Sequence, residues 1–468
     1  MNKYKYLIKN AGLLTISSFS TKLLSFFLVP LYTSVLTTEQ YGTYDLFNTT
    51  IGLLVPILTI DIQDAVLRFA MDKDVEKRSV LSIGLKYVFV SSLVVTIVVI
   101  INYIFPIVRV LKDFSLEFLL LYALTSTVGV ISFFARGIGN IKEISISGVL
   151  SSVATIIANI LFLLVFKWGL LGYFYATFLG LALQVIYLVL TIKVPTRPTA
   201  TESNSRSLRE QMIQYSGPMV ANAIAWWVNS ASDRYIVIFF KGLAVNGIYS
   251  VSYKIPTIIN VVLSIFGQAW SLSSVKEFDE KDANHFFINM YNVYNFVLVV
   301  SCSLLIILDK VIASVLFADQ FYVAWKFVPF LLISTVFSGM SQYISGLFTA
   351  LKMSGIFART SVVSAVTNFI INLALVPFIG PLGASIATAI AYFTMWLLRV
   401  IEIKKYMTLK INLRRDSIVY GILCIQAFYM SLAKTGVFDI CQIIFLVVVI
   451  LLFIPEFKGI LTKIKKHQ

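Results

Sequence analysis

The 468-residue chain contains two histidines, His285 and His467, and three cysteines, Cys302, Cys424 and Cys441. Neither set has the close, paired spacing that a zinc site or a disulfide framework needs, so the cysteines read as packing residues. No Walker loop, nucleophile triad or run of metal-ligating residues occurs, which argues against ATP hydrolysis and predicts a chain that is not an enzyme and carries no cofactor or metal. The glycines within Arg136–Asn140 are no nucleotide loop, because they end an apolar run and follow no strand. Charge is also scarce: 13% of residues are Asp, Glu, Lys or Arg, against roughly 25% in soluble domains.

What fills the chain instead is apolar. Hydrophobic residues make up 58% of it and the mean hydropathy is +0.87. A water-soluble fold of this size has too little interior to hide that surface. Uncharged or nearly uncharged runs of about 20 residues, enough to cross a hydrocarbon core of ~30 Å, recur from end to end. Fourteen transmembrane helices are predicted, near 11–36, 42–67, 80–105, 114–135, 144–166, 169–192, 212–240, 246–272, 285–308, 322–350, 357–378, 381–403, 417–434 and 438–455. The first is interrupted by Lys22, is too long for a signal-peptide core and has no small-residue cleavage site after it, so it reads as an uncleaved helix.

Basic residues orient these spans. With the N-terminus cytoplasmic, inside loops and helix ends hold about 27 of the 38 Lys and Arg, outside ones about 7 and the membrane core about 4. Both termini are then cytoplasmic. The net charge of +15 is accounted for by topology and by anionic lipid head groups, and basic residues dispersed among short loops predict no nucleic-acid partner.

The chain is also punctuated twice in the same way. Gly12, Tyr41-Gly42-Thr43-Tyr44 and Gln63 recur 205 residues on as Gly217, Asn246-Gly247-Ile248-Tyr249 and Gln268. The rear of each half agrees: Asn159 precedes Gly169 and Gly172, and Asn372 precedes Gly380 and Gly383. Between the halves lies the one long polar connector, residues 194–210. The expected organisation is a six-helix lobe (1–193), a cytoplasmic linker (194–210), a second six-helix lobe (211–403), and two accessory helices with a basic tail (404–468). Six spans per half make the repeats parallel, a plan that commonly binds cargo between two halves.

Candidate site residues are those that do not belong in hydrocarbon. Lys22 sits near the middle of the first span, where a cation costs roughly 2.5–3.5 kcal/mol unless it faces a polar cavity or a partner. It shares a helical stripe with Thr15, Ser18 and Ser25. The seventh span has a like stripe of Asn222, Trp226, Asn229 and Asp233, with Arg234 beside it, and the eighth carries Lys254 and, fourteen residues on, Gln268. The second span aligns Asp45, Asn48, Thr49, Thr59 and Gln63. Lys22, Arg234, Lys254, Asp233, Asn222, Asn229, Gln63 and Gln268 are therefore candidate cavity residues, and internal pairing such as Asp233 with Lys254 is the plainer alternative. Asp61, Asp64 and Arg68 form a gating or ion-coupling candidate, with Asp64 and Arg68 spaced to pair. Asn289, Asn292 and Asn295, interleaved with Tyr291 and Tyr294, are residue types that bind sugars, though such neighbours arise easily in so aromatic a chain.

The first span, the Tyr-Gly-x-Tyr start at 41–44, the Ser232-Asp233-Arg234-Tyr235 segment, the following Asn246-Gly247-Ile248-Tyr249 and the turn from Asn372 to Gly383 together resemble bacterial polysaccharide transporters of the multidrug/oligosaccharidyl-lipid/polysaccharide (MOP) exporter superfamily. The resemblance runs the length of the chain. It implies an all-α membrane protein with two six-helix lobes in a V and two accessory helices. It also implies a flippase that moves undecaprenyl-diphosphate-linked oligosaccharide repeat units to the outer leaflet of the bacterial cytoplasmic membrane, for O-antigen, capsule or exopolysaccharide synthesis. In such a protein Lys22, Arg234 and Lys254 would supply a cationic cavity, and Asp61 or Asp64 a proton or sodium coupling. A polysaccharide polymerase and glycosyltransferases would be functional partners. A lipid II flippase and a cation-coupled multidrug exporter are the rivals within the superfamily. From another class, a membrane glycosyltransferase or ligase would need catalytic carboxylates and a large outside loop, and the longest outside loop, around 309–321, is short.

Overall fold

The computed structural model describes residues 26–72, 74–193, 202–276, 285–351, 353–432 and 440–467. These residues are helical throughout, with no strand among them. Among the described residues eight helices are long and apolar enough to cross a membrane, or up to nine if one bent pair is a single span. The chain is a multi-pass membrane protein. Of the other predicted spans, the first lies mostly on residues 1–25, outside the described residues, the last falls on the shorter apolar stretch Ile440–Glu456, and the rest fall on helices whose apolar residues are mixed with polar ones.

The chain divides into two compact units, residues 1–227 and 228–468. The first contains α1 (Val29–Val35), α2 (Thr38–Leu58), α3 (Ile62–Ala70), α4 (Lys77–Ile104), α5 (Arg109–Asp113), α6 (Ser115–Gly137), α7 (Ile141–Asn159, continued by a π-helical Ile160–Val165), α8 (Gly169–Thr191) and the start of α9 (Glu202–Lys241). Thr37 begins α2 with a reciprocal cap: its hydroxyl accepts from the Gln40 amide while the Gln40 side chain accepts from the Thr37 amide. Pro56 removes one helical donor near the end of α2, and the chain then breaks by 61° before α3. Ile60 and Asp61 in the break both take left-handed backbone, φ 55° and 47°. Non-glycine residues pay roughly 1–2 kcal/mol each for that conformation.

Two apolar cores hold this unit. One gathers Phe47, Ile51, Val95, Val99, Phe118 and Phe174 from α2, α4, α6 and α8. The other gathers Ile62, Val66, Val80, Ile83, Val130 and Phe134 from α3, α4 and α6, together with Leu208 and Met212. Those last two come from α9. The connector expected at 194–210 is thus helical from Glu202 onward, because Leu208 and Met212, one turn apart, can bury against this core. At 1.5 Å per residue, the 40 residues of α9 extend for about 60 Å, twice a hydrocarbon core, so one end of it lies outside the membrane.

The second unit continues from α9 through α10 (Leu243–Ser252), α11 (Thr257–Lys276), α12 (Phe286–Leu316), a 3₁₀ segment (Asp319–Lys326), α13 (Val328–Ala350), α14 (Ser354–Ile379), α15 (Pro381–Ile403), α16 (Leu413–Leu432) and α17 (Ile440–His467). Helix α13 is buried on nearly every side. The hairpin of α14 and α15 is joined by Gly380 alone, as the Gly380-Pro381 pair predicts. Gly380 adopts φ 60°, which other residues take only under strain, and Pro381 starts α15 where its missing N–H is no loss. One turn on, Gly383 lies against the α14 backbone: a Cβ there would come within 2.9 Å of the Leu375 carbonyl carbon.

A buried polar cluster fastens α16 and α17 to α12. The Arg415 guanidinium reaches Asp416 at 2.7 Å and Glu456 at 2.8 Å. Tyr291 and Asn295 donate to Asp416, and Tyr420 donates to Asn295. Asn292 accepts from Arg415. The amides and phenol of Asn292, Asn295 and Tyr291, sugar-binding types by sequence, are therefore taken up inside the protein.

Removing one member of this cluster should be costlier than removing the pair. Arg415→Met leaves Asp416 buried without its cation and is expected to destabilise by about 3–5 kcal/mol, whereas Arg415→Met with Asp416→Leu recovers much of the loss. Thermal unfolding of the purified variants in detergent checks the order.

Candidate functional site

In the first unit the α2–α3 break sets the geometry. Asp61 immediately precedes α3 in a left-handed conformation and is 5% exposed. The Gln63 amide donates to Asp61 Oδ1 at 3.2 Å. Asp64 lies beside Asp61 and within electrostatic reach of Arg136 rather than Arg68, which is exposed. Two carboxylates and an amide thus converge at a strained turn, while Arg68 stands apart. The polar side of α2 meets α9, whose Trp227 indole donates to the Thr49 carbonyl at 2.8 Å. Asn222 and Trp226 on α9 are exposed. Lys22 lies outside the described residues.

In the second unit α9 brings Asp233 into a hydroxyl-lined pocket. Tyr249 of α10 and Tyr253, just beyond it, donate to Asp233 Oδ2 at 2.5 and 2.6 Å, and the Arg234 backbone amide donates to Oδ1 at 2.9 Å. Thr388 of α15 stands 3.5 Å from the same carboxylate, and Asn368 donates to Thr388. Asn372 on α14 in turn donates to Asn368. The carboxylate is 2% exposed. The Arg234 guanidinium lies over the Tyr253 ring, 5.0 Å from its centroid, in cation–π geometry. One turn before Asp233, Asn229 donates to the Ser361 carbonyl and accepts from Ser364, both on α14. Asn229 and Asp233 are thus engaged with neighbouring helices, whereas Arg234 and Lys254 are half-buried. Gln268 lies on α11, its side chain outside the described ones.

The structure adds a cation that sequence reading passed over. Arg399, on α15, is 2% exposed. It donates to Thr360 and Ser361 hydroxyls, to the Ser341 carbonyl and to the Ser345 hydroxyl, at 2.7–3.1 Å. Its guanidinium also lies 4.8 Å from the Phe357 ring centroid. Because Arg399 lies near the end of an apolar run, it looks in sequence like one more flanking charge. Ser361 joins it to Asn229, so Arg399 braces the α14 surface on which the α9 stripe rests. No group of three or more His, Cys, Asp or Glu side chains converges among the described residues.

Residues 7–271, more than half of the chain, match the model of a family described as polysaccharide biosynthesis protein. Over 212 residues the chain is 23% identical to the probable low-salt glycan biosynthesis flippase Agl15 of Haloferax volcanii, and this match covers 44% of each protein. It therefore spans less than half the length of that relative. Among solved structures, the lipid II flippase MurJ in an inward closed conformation aligns with 96% of this chain and 99% of its own, at 17% identity and a TM-score of 0.68. An inward-facing multidrug resistance MATE family transporter of the MOP superfamily aligns with 82% of this chain and 95% of its own, at 13% identity and a TM-score of 0.65. At these identities the likeness is one of fold.

The tyrosine pair should be coupled through the carboxylate it shares. Tyr249→Phe and Tyr253→Phe are each expected to destabilise by about 1.5–3 kcal/mol, the range for hydrogen bonds to charged groups. The double variant should lose more than the two losses added, because either phenol alone still meets Asp233 Oδ2 and only the double variant strips both from it. Unfolding midpoints of the single and double variants measure the coupling.

Proposed function

The chain belongs to the polysaccharide biosynthesis protein family, and from that membership we propose that it is a non-enzymatic flippase for undecaprenyl-diphosphate-linked oligosaccharide repeat units, moving them to the outer leaflet of the bacterial cytoplasmic membrane by alternating access. The observation that carries this reading is Arg234, a guanidinium on α9 that lies over the Tyr253 ring beside the carboxylate met by Tyr249 and Tyr253. A guanidinium suits an anionic cargo. A diphosphate offers it charge-assisted hydrogen bonds, which are shorter and stronger than neutral ones. In this assignment Arg234, Lys254 and Gln268 are the cargo-facing residues of the second unit, and Lys22, Asn222 and Gln63 those of the first. Asp233 and Asn229 act by holding α9 in register.

The lipid tail need not leave hydrocarbon. A cavity of about 460 Å³ opens between α13, α15 and α16, lined by Phe330, Phe337, Ile390, Phe393, Leu397 and Phe428 among others. Its apolar walls suit a prenyl chain, and we assign the tail to it. Outward movement of negative charge from a cell with a negative interior is favourable by about 2.3 kcal/mol per charge per 100 mV, so ATP is not required. Asp61 and Asp64, adjoining carboxylates at a strained break, are the groups assigned to proton or sodium coupling. Glycosyltransferases that build the repeat unit and a polymerase that consumes it are the implied partners.

Arg234→Ala should leave protein levels intact and slow repeat-unit export at least about tenfold, with lipid-linked repeat units accumulating inside the cell. Lys22→Ala should do the same. Normal surface polysaccharide in both variants would remove the cationic assignment. A lipid II flippase would instead sustain growth of cells depleted of their own lipid II flippase, which this chain is expected not to do.

A further inference from the structure

The basic residues at one end of the second unit divide into two groups. Arg359 and Lys405 share the Glu402 carboxylate, and Arg415 is held by Asp416 and Glu456. Lys404, Lys410 and Arg414 are exposed, and their side chains have no hydrogen bond or ion pair among the described residues. Positive-inside topology accounts for the presence of cations here but not for their placement.

Two of the three stand at one end of the apolar cavity between α13, α15 and α16, and α13 fixes the register. Phe337 then Ser341 of α13 meet Trp396 then Arg399 of α15 in the same order. Phe330 then Phe337 meet Phe428 then Tyr420 of α16 in reverse. Helices α15 and α16 are therefore antiparallel, and they are level where the Trp396 and Tyr420 rings lie 5.2 Å apart. From that level Lys404 is eight residues on and Arg414 six residues back, about 12 and 9 Å toward the same end. Each shares a helix face with a cavity-lining residue seven positions away, Lys404 with Leu397 and Arg414 with Gly421. The end of the cavity is thus flanked by one unengaged cation from each helix, with Lys410 in the loop that joins them.

This place is separate from the Asp233 pocket. Thr388, which meets Asp233, projects about 180° from Leu397 and about 160° from Lys404 around α15. Phe393, Leu397, Gly421 and Phe428 line the cavity and are exposed, so it opens on hydrocarbon.

A lipid suits both parts, its anionic head on the cations and its chain in the cavity. Along α16 the lining runs from Leu413 to Phe428, about 22 Å. One leaflet supplies roughly 15 Å of hydrocarbon, half of the core, so the cavity suits a chain longer than that of a phospholipid. A diphosphate esterified at both ends keeps a negative charge on each phosphate, which gives each flanking cation a partner and Arg414 charge-assisted hydrogen bonds.

We propose that Lys404 and Arg414, with Lys410, form a docking station for the polyprenyl diphosphate of the cargo, which holds the head at the basic end of this cavity before it reaches Arg234. The station rests on the flippase reading and adds to it the place where cargo is loaded.

The test uses the full-length Arg234→Ala protein, which lacks the guanidinium assigned to the cargo head, in micelles of uncharged detergent with radiolabelled undecaprenyl diphosphate as the probe. Saturable binding is expected, weakened at least about tenfold when Lys404→Ala and Arg414→Ala are added. Both side chains are exposed, so these changes keep the fold. Gly421→Trp places a ring on the cavity wall, where an added Cβ meets open space, and should weaken the probe and also undecaprenol, which has no diphosphate. The two cation changes should leave undecaprenol binding as it was. No saturable binding of the probe, or binding unchanged by the cation changes or by Gly421→Trp, would overturn the proposal. So would displacement of the probe by an equal concentration of phosphatidylglycerol, which would give the site to a membrane phospholipid. The flippase reading fails on a different readout, normal surface polysaccharide in cells carrying Arg234→Ala or Lys22→Ala.

Discussion

A hydrocarbon solvent offers no hydrogen bonds, and that constraint shapes nearly every polar residue of this protein. Helices satisfy the backbone internally, which leaves the side chains to be matched one by one. Asn159 and Asn372 match their amide N–H groups locally, each donating to the carbonyl one turn earlier in its own helix. Asp233 is met by two phenols and an amide, and Arg399 by four neutral oxygens at a cost no lysine would bear, since a buried ammonium can shed its proton and a guanidinium cannot. Arg399 is therefore wrapped rather than neutralised. An unmatched amide or hydroxyl forfeits roughly 2–7 kcal/mol on transfer from water and an unmatched charge more, a large part of a domain's net stability.

Much of this was legible in the chain because hydrocarbon is a demanding solvent. Long uncharged runs marked α4, α6, α7, α8 and α12 to α15, and Gly380-Pro381 marked a hairpin with a single linking residue. The punctuation at 41–44 and 246–249 marked helices that begin at Thr38 and Leu243, positions 205 apart. What stayed hidden depends on partners distant in the chain. Asn295 and Asp416 are 121 residues apart, and nothing near Asn295 says that its amide serves an ion pair rather than a sugar. The start of α9 was masked by its composition, since Ser, Arg and Glu outnumber the two apolar residues, Leu208 and Met212, that fix it. Of the candidate site, the titratable residues could be named from sequence, but not what meets them: that two phenols reach Asp233 from 16 and 20 residues further on is not written beside it.

The helices that follow the two marks also bend at different places. Helix α2 runs for 21 residues before its break at 59–61, whereas α10 runs for only 10 before a turn at 253–256. Pro56 sits near the first break and Pro256 within the second, and neither has a proline at the position 205 residues away. Equal spacing of the starts thus coexists with kinks set by local proline placement. The first break leaves a carboxylate in a left-handed turn; the second leaves at its bend Tyr253, which donates to Asp233, and Lys254. Two helix pairs laid out alike therefore present different chemistry.

The single-residue link at Gly380 bears on how the protein is made. With no loop between them, α14 and α15 have no hydrophilic segment to hand to the far side of the membrane one at a time, so the pair must enter the bilayer together as a preformed hairpin. The turn holds no charge to influence direction. Orientation then falls to the open ends, where Arg359 and the Lys404–Lys405 pair lie on the same side of the hairpin and are tied through Glu402, which Arg359 and Lys405 both reach. The basic residues at the open ends are thus cross-linked by one carboxylate once the hairpin has formed.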